Sequence, residues 1–537
     1  MALGSMKILL MAVYARAMNV IYEELGICYI ASYLREKGFE VKLIAEYQGS
    51  IDYEEIINFQ PDIIGMPMYT VSESAVFTVS SELKKYMPDV RICVGGYSPT
   101  FRGAEILKES VDIDYVIRGE GEKAMLRLVT RLAEGGNLKG IGGLIYREGN
   151  QIIVNEDQEL EKDLNTLPWP SRDLLAQKKY NIALLSTSRG CTGSCSFCIT
   201  KAFWKKWRGR DVKDVVDEME YVFRNYDINV FYFIDCSFEN PGICYERVRD
   251  IAEEIIKRNL TIYYFAFMRA DFQRKATPEL MELLKRSGMV GSILGIESAN
   301  EQSLKIYNKA ATVEDNTAAV ELFSKYGIHV EIGFIMFNPY STFEGLRRDI
   351  DFLEKYYFAC NIDYFASIYA MFKGCSLNRT IEEDGLLTDA ENIYGYRFVD
   401  ERVMKLAYYV FNHVARVNVE TNAALMKIRT NLAVLEYWRR IFAENEAMYK
   451  AIVETGQYFH AIRNEFNARV SEWFRKLMSL AEDKWDEGEA ELLTTTMLSH
   501  EYILNVAKNL EHRKNVLHIK LSRLGYDLKR APFIEGI

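Results

Sequence analysis

Apolar and polar positions follow two alternating periods over the first 135 residues. Short apolar runs, each the length of one buried strand, are separated by segments whose apolar residues recur every three to four positions. The runs are KILLMAV, EVKLIAE, DIIGMPM, RICVGG and YVIRGE. Strands that alternate with helices predict a parallel sheet covered on both faces, here with about five strands. In such sheets the ligand binds beyond the carboxyl ends of the strands.

Two prolines interrupt this pattern and a second set of βα units follows them. Pro168 and Pro170 stand in DLNTLPWPSRDLL, where they favour extended backbone, and they predict a linker over residues 151–178. Six further apolar runs then alternate with helical patterns: IALLSTS, VFYFID, IYYFAFM, VGSILGIE, HVEIGFIMF and YFASIYAMF. Six βα units predict a partial barrel of the TIM type over residues 179–385, with its chemistry at the carboxyl ends of the strands.

The last part of the chain has a helical pattern throughout. No proline occurs between Pro339 and Pro532, and segments such as RVMKLAYYVFNHVARV carry apolar stripes at helical spacing. We therefore expect an all-α domain over residues 386–537. It follows the barrel, the linker and an N-terminal Rossmann-like (flavodoxin-like) α/β domain over residues 6–150.

Composition narrows the class of protein. A length of 537 residues indicates more than one domain. A hydrophobic content of 49% indicates that the chain folds. A net charge of -10 disfavours a nucleic-acid-binding protein, which would present a basic face. No apolar run is long enough for a membrane helix and the N-terminus lacks a secretory signal pattern, so we expect a cytoplasmic protein without a membrane partner. Its nine cysteines are then more typical of thiols or metal ligands than of disulfides.

Three of these cysteines stand in one loop, RGCTGSCSFC, after the first predicted barrel strand. Cys191, Cys195 and Cys198 have the spacing C-x3-C-x2-C. A zinc site needs four protein ligands, or three and a water molecule. The first 328 residues contain no histidine, which leaves Cys236 and Cys244 as further thiolates for zinc. A four-iron cluster held by three thiolates keeps one iron open to another ligand, and we favour this interpretation over zinc.

Together with Phe197 before the last cysteine, the motif resembles the signature of the radical S-adenosylmethionine (SAM) superfamily. The resemblance implies a [4Fe-4S] cluster whose open iron chelates the amino and carboxylate groups of SAM. An electron, supplied by a donor such as flavodoxin or ferredoxin, then splits the sulfonium and yields a 5′-deoxyadenosyl radical.

Three further segments are similar to that family's pattern: FIDCSFEN, FMRAD and GIESAN, at the ends of the second, third and fourth barrel strands. The resemblance implies that Arg269 lies near the SAM carboxylate and that Glu297 and Ser298 lie near its ribose or methionyl part. The carboxylate of SAM would pair with a guanidinium. The two ribose hydroxyls would bind a carboxylate or a hydroxyl. Each residue alone is equally consistent with a structural ion pair. Asp235 and Glu239 are candidates for contact with the substrate.

The N-terminal α/β region resembles the cobalamin-binding domain that precedes many of these barrels, through EELGICYIASYLREKGFEV, GGYSPT and RGEGE. A generic flavodoxin-like domain is the alternative, since fold does not fix function. Glycines would let the backbone approach a large flat ligand. The residues that the resemblance places at the cofactor are Met68, Tyr69, Gly95, Gly96, Tyr97, Ser98, Gly119 and Glu120.

One departure from better-known cobalamin proteins concerns the cobalt. Those proteins carry D-x-H-x-x-G, with the histidine bound to cobalt, and this domain has no histidine. Tyr97 stands where related sequences often have one. The lower face of the cobalt is therefore expected to be open or covered by the loop Pro67–Ser72, with Met68 and Tyr69 nearest.

These resemblances imply a cobalamin-dependent radical SAM enzyme, most simply a methyltransferase that acts on an unactivated carbon of a small metabolite or peptide in a biosynthetic pathway. The same motifs serve radical rearrangement, ring contraction or cyclisation without methyl transfer. A methylthiotransferase would need three more cysteines in the N-terminal domain, where residues 6–135 contain only Cys28 and Cys93. A cobalamin sensor without activity would not need the cysteine loop. The helical domain is expected to close the open side of the barrel.

Overall fold

The computed structural model describes residues 6–15, 23–177, 180–239, 245–388, 395–415 and 442–525, with nine residues between 423 and 439. The chain divides into two compact units. The first comprises Met1–Thr192 and Thr200–Cys236, and the second comprises Gly193–Ile199 and Ser237–Ile537.

A seven-stranded sheet forms the N-terminal part of the first unit, in the order β2-β1-β3-β4-β5-β6-β7. Its strands are β1 Lys7–Tyr14, β2 Glu40–Tyr47, β3 Ile63–Pro67, β4 Arg91–Gly95, β5 Tyr115–Ile117, β6 Leu144–Glu148 and β7 Gln151–Val154. The first five are parallel, which confirms the predicted parallel sheet. The last two are antiparallel additions.

Helices cover this sheet: α1 Leu25–Glu36, α2 Tyr53–Phe59, α3 Glu73–Tyr86, α4 Tyr97–Glu109 and α5 Gly121–Glu134. The buried positions of the parallel strands are mostly apolar because helices pack on both faces of the sheet. Ile64, Val94 and Val116 of the strands form one core with Val76 of α3 and Ile106 of α4. The loops that begin helices α3, α4 and α5 therefore all start at the carboxyl edge of the sheet.

Residues 151–178, predicted to be a linker, are not a simple linker. Gln151–Val154 forms the last strand of the sheet, and Arg172 forms buried ion pairs with the rest of the first unit. The β6–β7 hairpin turns at Gly149 and Asn150, and a two-residue turn of this kind between apolar runs is a hairpin signal. Further along, the buried guanidinium of Arg172 pairs with the carboxylates of Glu23 and Glu218.

The second set of βα units is distributed over both units of the chain. In the first unit, β8 Ala183–Leu185 and β11 Val230–Phe233 pair in parallel, and β9 Ser188–Arg189 pairs antiparallel with β10 Arg208–Gly209. In the second unit, β12 Tyr263–Arg269, β13 Met289–Glu297 and β14 His329–Phe334 pair in parallel in chain order. The intervening helices are α6 Asp173–Ala176, α7 Thr200–Trp204, α8 Val212–Tyr226, α9 Glu246–Lys257, α10 Pro278–Arg286, α11 Glu301–Ile306, α12 Val313–Lys325 and α13 Phe343–Lys355.

The sixth predicted barrel strand, YFASIYAMF, is largely replaced by a short helix, α14 Asp363–Ala366. Only a parallel bridge between Phe337 and Ile368 remains of it. Side chains take the place of ladder hydrogen bonds here. The Ile332 amide donates to the Tyr364 hydroxyl (3.3 Å), and the Met336 amide donates to the Ser367 hydroxyl (3.0 Å).

The described part of the C-terminal region is mainly helical, as the sequence predicts, with an isolated antiparallel bridge between Leu387 and Tyr396. Its helices are α15 Ser376–Glu383, α16 Glu401–Ala415, α17 Glu446–Asp483, α18 Glu487–Met497 and α19 His500–Arg523. Phe474 of α17 packs against Phe365 of α14, with ring centroids 4.9 Å apart, and Arg475 pairs with Asp351 and Glu354 of α13. Helix α17 thus packs beside the last βα unit. In the described part of the chain, no helix is both long enough and apolar enough to cross a membrane.

Candidate active site

The cysteine loop leaves β9 through a glycine that no other residue could replace without strain. Gly190 has a φ of +87°, and a Cβ there would collide with the backbone carbonyl of Lys206. Cys191 follows directly. All three cysteines of the motif are partly exposed, and the cysteines that the structure describes form no disulfide among themselves. Of the two cysteines considered for zinc, Cys236 is half-buried and Cys244 lies outside the described residues.

The second half of the loop is fixed to the turn that follows α11. The Ser196 amide donates to the Tyr307 carbonyl (2.9 Å), and the Ser196 hydroxyl donates to the Ile306 carbonyl (2.6 Å). The Phe197 ring meets the Tyr307 ring edge-on, with centroids 5.3 Å apart. The Cys198 amide donates to the Cys195 carbonyl (3.2 Å). These contacts hold a turn with two thiols, the donor set that iron–sulfur clusters take.

Charged groups act on the Cys195 thiol. Burial raises the pKa of this thiol, while the positive charge of Lys309 opposes the rise and Glu297 reinforces it. The thiolate is the form that binds metal, so cluster binding there releases a proton. Among the described residues, no group of three or more histidine, cysteine, aspartate or glutamate side chains is arranged to hold a single metal ion.

Glu297 ends β13 in a strained conformation. Its φ is +67°, which is rare for a residue with a side chain and is often found at functional positions. Lys309 lies 3.5 Å from its carboxylate and also donates to the Gly295 carbonyl (2.9 Å). A Cβ at Gly333 would come within 3.2 Å of the same carboxylate. Lys309 was not among the residues predicted from the sequence, because it lies beyond the GIESAN motif in the next loop.

Ser298 makes hydrogen bonds within the fold. Its buried hydroxyl donates to Asp349 (2.8 Å) and accepts from the Asn300 amide (3.0 Å). The Asp349 carboxyl also accepts from the Ala299 amide (2.6 Å), and burial raises the pKa of this carboxyl to about 7. The pair therefore fixes the turn that presents Glu297. A contact of Ser298 with SAM stays a prediction.

Arg269 and Glu239 lie together at the end of β12. The Arg269 guanidinium donates twice to Asp271 (2.9 and 2.8 Å) and lies 3.9 Å from Glu239. Glu239 Oε1 accepts from the Ser237 hydroxyl (2.6 Å) and the Arg269 amide (3.0 Å). Its Oε2 is buried and has no hydrogen-bond partner among the described residues. Burial raises the pKa of this carboxyl to about 7.

Asp235, the other candidate for substrate contact, is tied into the fold of the first unit. One carboxylate oxygen accepts from the Thr187 hydroxyl (2.8 Å) and the Ser188 hydroxyl, and the other accepts from the Thr187 amide (3.1 Å). Asp235 thus holds the strand that leads into the cysteine loop. Of the two candidates, Glu239 has the carboxylate oxygen that remains available to a ligand.

A cavity of about 190 Å³ lies at the carboxyl edge of the N-terminal sheet. Its glycines are Gly26, Gly65, Gly95, Gly96, Gly119 and Gly121. A Cβ at Gly121 would lie 2.6 Å from Ile30, and one at Gly65 would lie 2.8 Å from Leu10. Where glycines form the wall, a flat ligand can approach the backbone closely. The cavity therefore fits part of a cobalamin.

Most of the residues predicted for this ligand do line the cavity, namely Tyr69, Gly95, Gly96, Tyr97, Gly119 and Glu120. Met68 and Ser98 are not among the lining residues. The Met68 side chain is fully buried in the apolar core of the sheet, and the Ser98 hydroxyl donates to Glu73. The Tyr69 hydroxyl donates to Glu24. Pro67 and Tyr69 are thus the residues of the loop Pro67–Ser72 that line the cavity.

Residues on both sides of the three cysteines also line this cavity, and they were not predicted from the sequence. Arg189 precedes the loop and Trp204 follows it. Arg189 pairs with Glu120 (2.8 Å) and Glu122 (2.6 Å), all three nearly buried, and its guanidinium lies over the Trp204 ring. The Trp204 indole donates to the Tyr97 hydroxyl (3.0 Å). The opposite charges of Arg189 and the two glutamates are compatible with an ion pair, but no local sequence pattern shows that these residues, about 70 positions apart, are partners.

Comparison with known proteins agrees with both parts of the site. Residues 11–129 match the model of the B12 binding domain, and residues 185–353 match that of the radical SAM superfamily. An uncharacterized methyltransferase of Pyrococcus horikoshii is 31% identical over 406 residues, which cover 73% of this chain and 85% of the relative. The anaerobic magnesium-protoporphyrin IX monomethyl ester cyclase of Rubrivivax gelatinosus is 29% identical over 391 residues, which cover 70% of this chain and 68% of the cyclase.

A solved structure shares the fold over nearly the whole chain. The cobalamin-dependent S-adenosylmethionine radical enzyme OxsB, with aqua-cobalamin and SAM bound, superposes with a TM-score of 0.67 at 21% identity. The match covers 98% of this chain and 81% of that one. At this identity the likeness shows the fold, and it includes the C-terminal helices, which the sequence resemblance did not reach.

Proposed function

Since the chain belongs to the cobalamin-dependent radical SAM enzymes, we propose that it transfers a methyl group to an unactivated carbon of a small metabolite or peptide. Its cofactors are a [4Fe-4S] cluster, SAM and cobalamin. The observation that supports joint use of cluster and cobalamin is that Arg189 and Trp204, which stand on either side of the three cysteines in the chain, both line the cavity of the N-terminal sheet. The cavity is thus lined by residues that stand just before and after the cluster-binding segment in the chain. The name of the Pyrococcus horikoshii relative supports methyl transfer.

When bound, the cofactors provide the radical that removes a hydrogen atom from the substrate, and they carry the methyl group. The protein supplies binding and orientation. Cys191, Cys195 and Cys198 hold the cluster, and the Lys309–Glu297 pair at the end of β13 presents a fixed carboxylate for the hydroxyl or amino groups of SAM.

Glu239 is the residue that we assign to the substrate. One of its oxygens is fixed by Ser237 and the Arg269 amide, and the other is buried without a partner among the described residues. A buried oxygen without a hydrogen bond is costly, and a substrate N–H or O–H would satisfy it. With a pKa of about 7 the carboxyl group also exchanges a proton near neutral pH, so it can either donate to or accept from the substrate.

Radical ring formation without methyl transfer is the second candidate. It is favoured by the similarity to the Rubrivivax gelatinosus cyclase, which extends over 70% of this chain. Both reactions would use the same cysteine loop and the same cavity.

The two candidates differ in how SAM is consumed. Anaerobic protein with reconstituted cluster and cobalamin is incubated with labelled SAM, a flavodoxin system as electron donor and fractionated extracts as the source of substrate. A methyltransferase of this type uses one SAM as methyl donor and one as radical source. It therefore forms S-adenosylhomocysteine and deoxyadenosine in about equal amounts, and the label enters the product. A product with unchanged carbon count and no coupled S-adenosylhomocysteine would establish the second candidate instead.

Two cysteine variants control this experiment. Cys195→Ala should lose the cluster and form no deoxyadenosine. Cys375→Ala should retain both, because burial raises the pKa of the Cys375 thiol to about 12 and this thiol donates to the Phe197 carbonyl (3.0 Å). Iron retained by Cys195→Ala at the level of the parent protein would contradict the assignment of the cluster.

A further inference from the structure

A second cavity, of about 400 Å³, lies at the opposite end of the barrel strands in the second unit. It is lined by His329, where β14 begins, whereas Glu297 pairs with Phe334 at the other end of that strand. Five residues of strand separate the two positions, or about 17 Å. Reactive groups of βα barrels lie at the carboxyl ends of the strands, so this cavity is distinct from the candidate active site.

Aromatic rings and two cations line this cavity. Tyr357 and Tyr364 contribute rings, and Lys355 and Arg463 contribute positive charge. The Arg463 guanidinium lies over the Tyr357 ring, 4.1 Å from its centroid. Its Nε is buried without a hydrogen-bond partner, and among the described residues no carboxylate lies within ion-pair distance of it. An arginine without a carboxylate partner can bind an anion through its guanidinium.

Tyr357 adopts a conformation that its side chain disfavours. It follows α13 with a φ of +62°, at a position where glycine or asparagine is usual. Its side chain is 41% exposed, so burial does not explain why an aromatic residue stands there. Strained residues of this kind are concentrated at ligand-binding positions. The strain keeps a ring beneath Arg463.

Among the charged groups of the lining, Arg463 is the one that favours an anion. Glu331 is the carboxylate among the lining residues, and it lies 3.8 Å from His329 Nε2. Lys355 is already paired with Glu321, which lies outside the lining (3.7 Å), so Arg463 carries the positive charge that is available to an anion. Cavities of this size commonly bind small molecules, and flat rings stack on tyrosine and guanidinium faces. We propose that this cavity binds a small anion that carries an aromatic ring, such as an aryl phosphate or aryl carboxylate.

Phenyl phosphate is a suitable probe, with phenol and inorganic phosphate as its two halves. The titration is followed by calorimetry on anaerobic protein loaded with cluster, SAM and cobalamin, so that the active site and the cobalamin cavity are filled. We expect one saturable site per chain for phenyl phosphate, with a Kd at least tenfold lower than for either half. Arg463→Gln should weaken binding at least tenfold.

Two variants separate binding from folding. Tyr357→Asn should also weaken binding at least tenfold, yet its Tm should equal or exceed that of the parent because asparagine tolerates the left-handed conformation. Arg469→Gln is the matched control: Arg469 lies on the same helix and also stacks on a tyrosine, Tyr502, but it does not line the cavity. Its Kd should equal that of the parent. Absence of saturable binding, equal affinity for phenol, or unchanged affinity in Arg463→Gln would each overturn the proposal.

Discussion

Asp349, Glu239 and Glu23 are carboxyl groups whose pKa burial raises to about 7. Each has a different neighbourhood. Glu23 pairs with Arg172, Glu239 lies beside Arg269, and Asp349 accepts hydrogen bonds from Ser298 and the Ala299 amide. In the unfolded chain such groups titrate near pH 4, so the folded state binds protons more tightly over the neutral range.

The pH dependence of stability follows from this shift. A carboxyl group with a raised pKa in the folded state stabilises the fold at low pH, and that contribution is lost as the pH rises through about 7. Asp349→Asn removes one such group. Between pH 6 and pH 8 the free energy of unfolding should therefore fall by about 1 kcal/mol less in the variant than in the parent protein. Urea denaturation at several pH values measures this difference.

Glu344→Gln provides the comparison for Asp349→Asn. Glu344 lies on the same helix, its side chain is 75% exposed, and it pairs with Arg348 one turn later. Its removal should leave the slope of stability against pH unchanged. Equal slopes for Asp349→Asn and the parent protein would show that the Asp349 carboxyl does not titrate in this range.

At the scale of elements, the sequence correctly predicted those strands and loops that a local pattern of apolar and polar residues determines. The five parallel N-terminal strands were predicted because each is a short apolar run between helical segments. The cysteine loop was predicted at the end of a strand for the same reason. The β6–β7 hairpin was missed although Gly149 and Asn150 carried a turn signal.

Other features depend on residues far apart in the chain and leave no local signal. Where the sixth strand was predicted, the hydroxyls of Tyr364 and Ser367 accept hydrogen bonds from the amides of Ile332 and Met336. Trp204 reaches the cavity of the N-terminal sheet from more than 80 residues after β5. The motif indicated the type of chemistry, but not these supporting contacts.

The short strand β9 connects the cysteine loop to the N-terminal domain through Arg189. This residue pairs with Glu120 and Glu122 while its side chain is only 9% exposed. Glu120 would keep Arg208 at 3.0 Å, but Glu122 would lose Arg189 as its ion-pair partner, and removing one member of a buried ion pair costs about 3–5 kcal/mol. Arg189→Gln should therefore destabilise the protein by that amount and reduce retained cobalamin and iron together. Urea denaturation and metal analysis after gel filtration measure both effects.

Arg131→Gln is the control for Arg189→Gln. Arg131 is 54% exposed, and it lies 3.8 Å from Glu134 on the same helix. Exposed pairs of this kind contribute about 0–1 kcal/mol, so stability and cofactor content should change little. If Arg189→Gln lost no more cobalamin than Arg131→Gln, the ion pairs would not support the cavity.

At the scale of the whole molecule, histidine is absent from the first 328 residues, which include both the N-terminal domain and the cysteine loop. All six histidines stand at position 329 or later, while the B12-binding match ends at residue 129. The side chains that line the glycine-walled cavity in the loops after β3 and β4 include Tyr69 and Tyr97. Neither can supply the imidazole nitrogen that binds cobalt in the better-known cobalamin proteins.

Bound cobalamin should therefore carry no protein imidazole on its cobalt. Protein labelled with ¹⁵N-histidine and unlabelled protein are loaded with cobalamin, reduced to Co(II) and compared by electron paramagnetic resonance. The two spectra should be identical, and neither should show the nitrogen splitting of free cobalamin, whose own base binds the cobalt. A splitting that changes with the label would mean that a histidine from position 329 or later reaches the cobalt, since the N-terminal domain has none. Failure to retain cobalamin would instead contradict the assignment of the cavity.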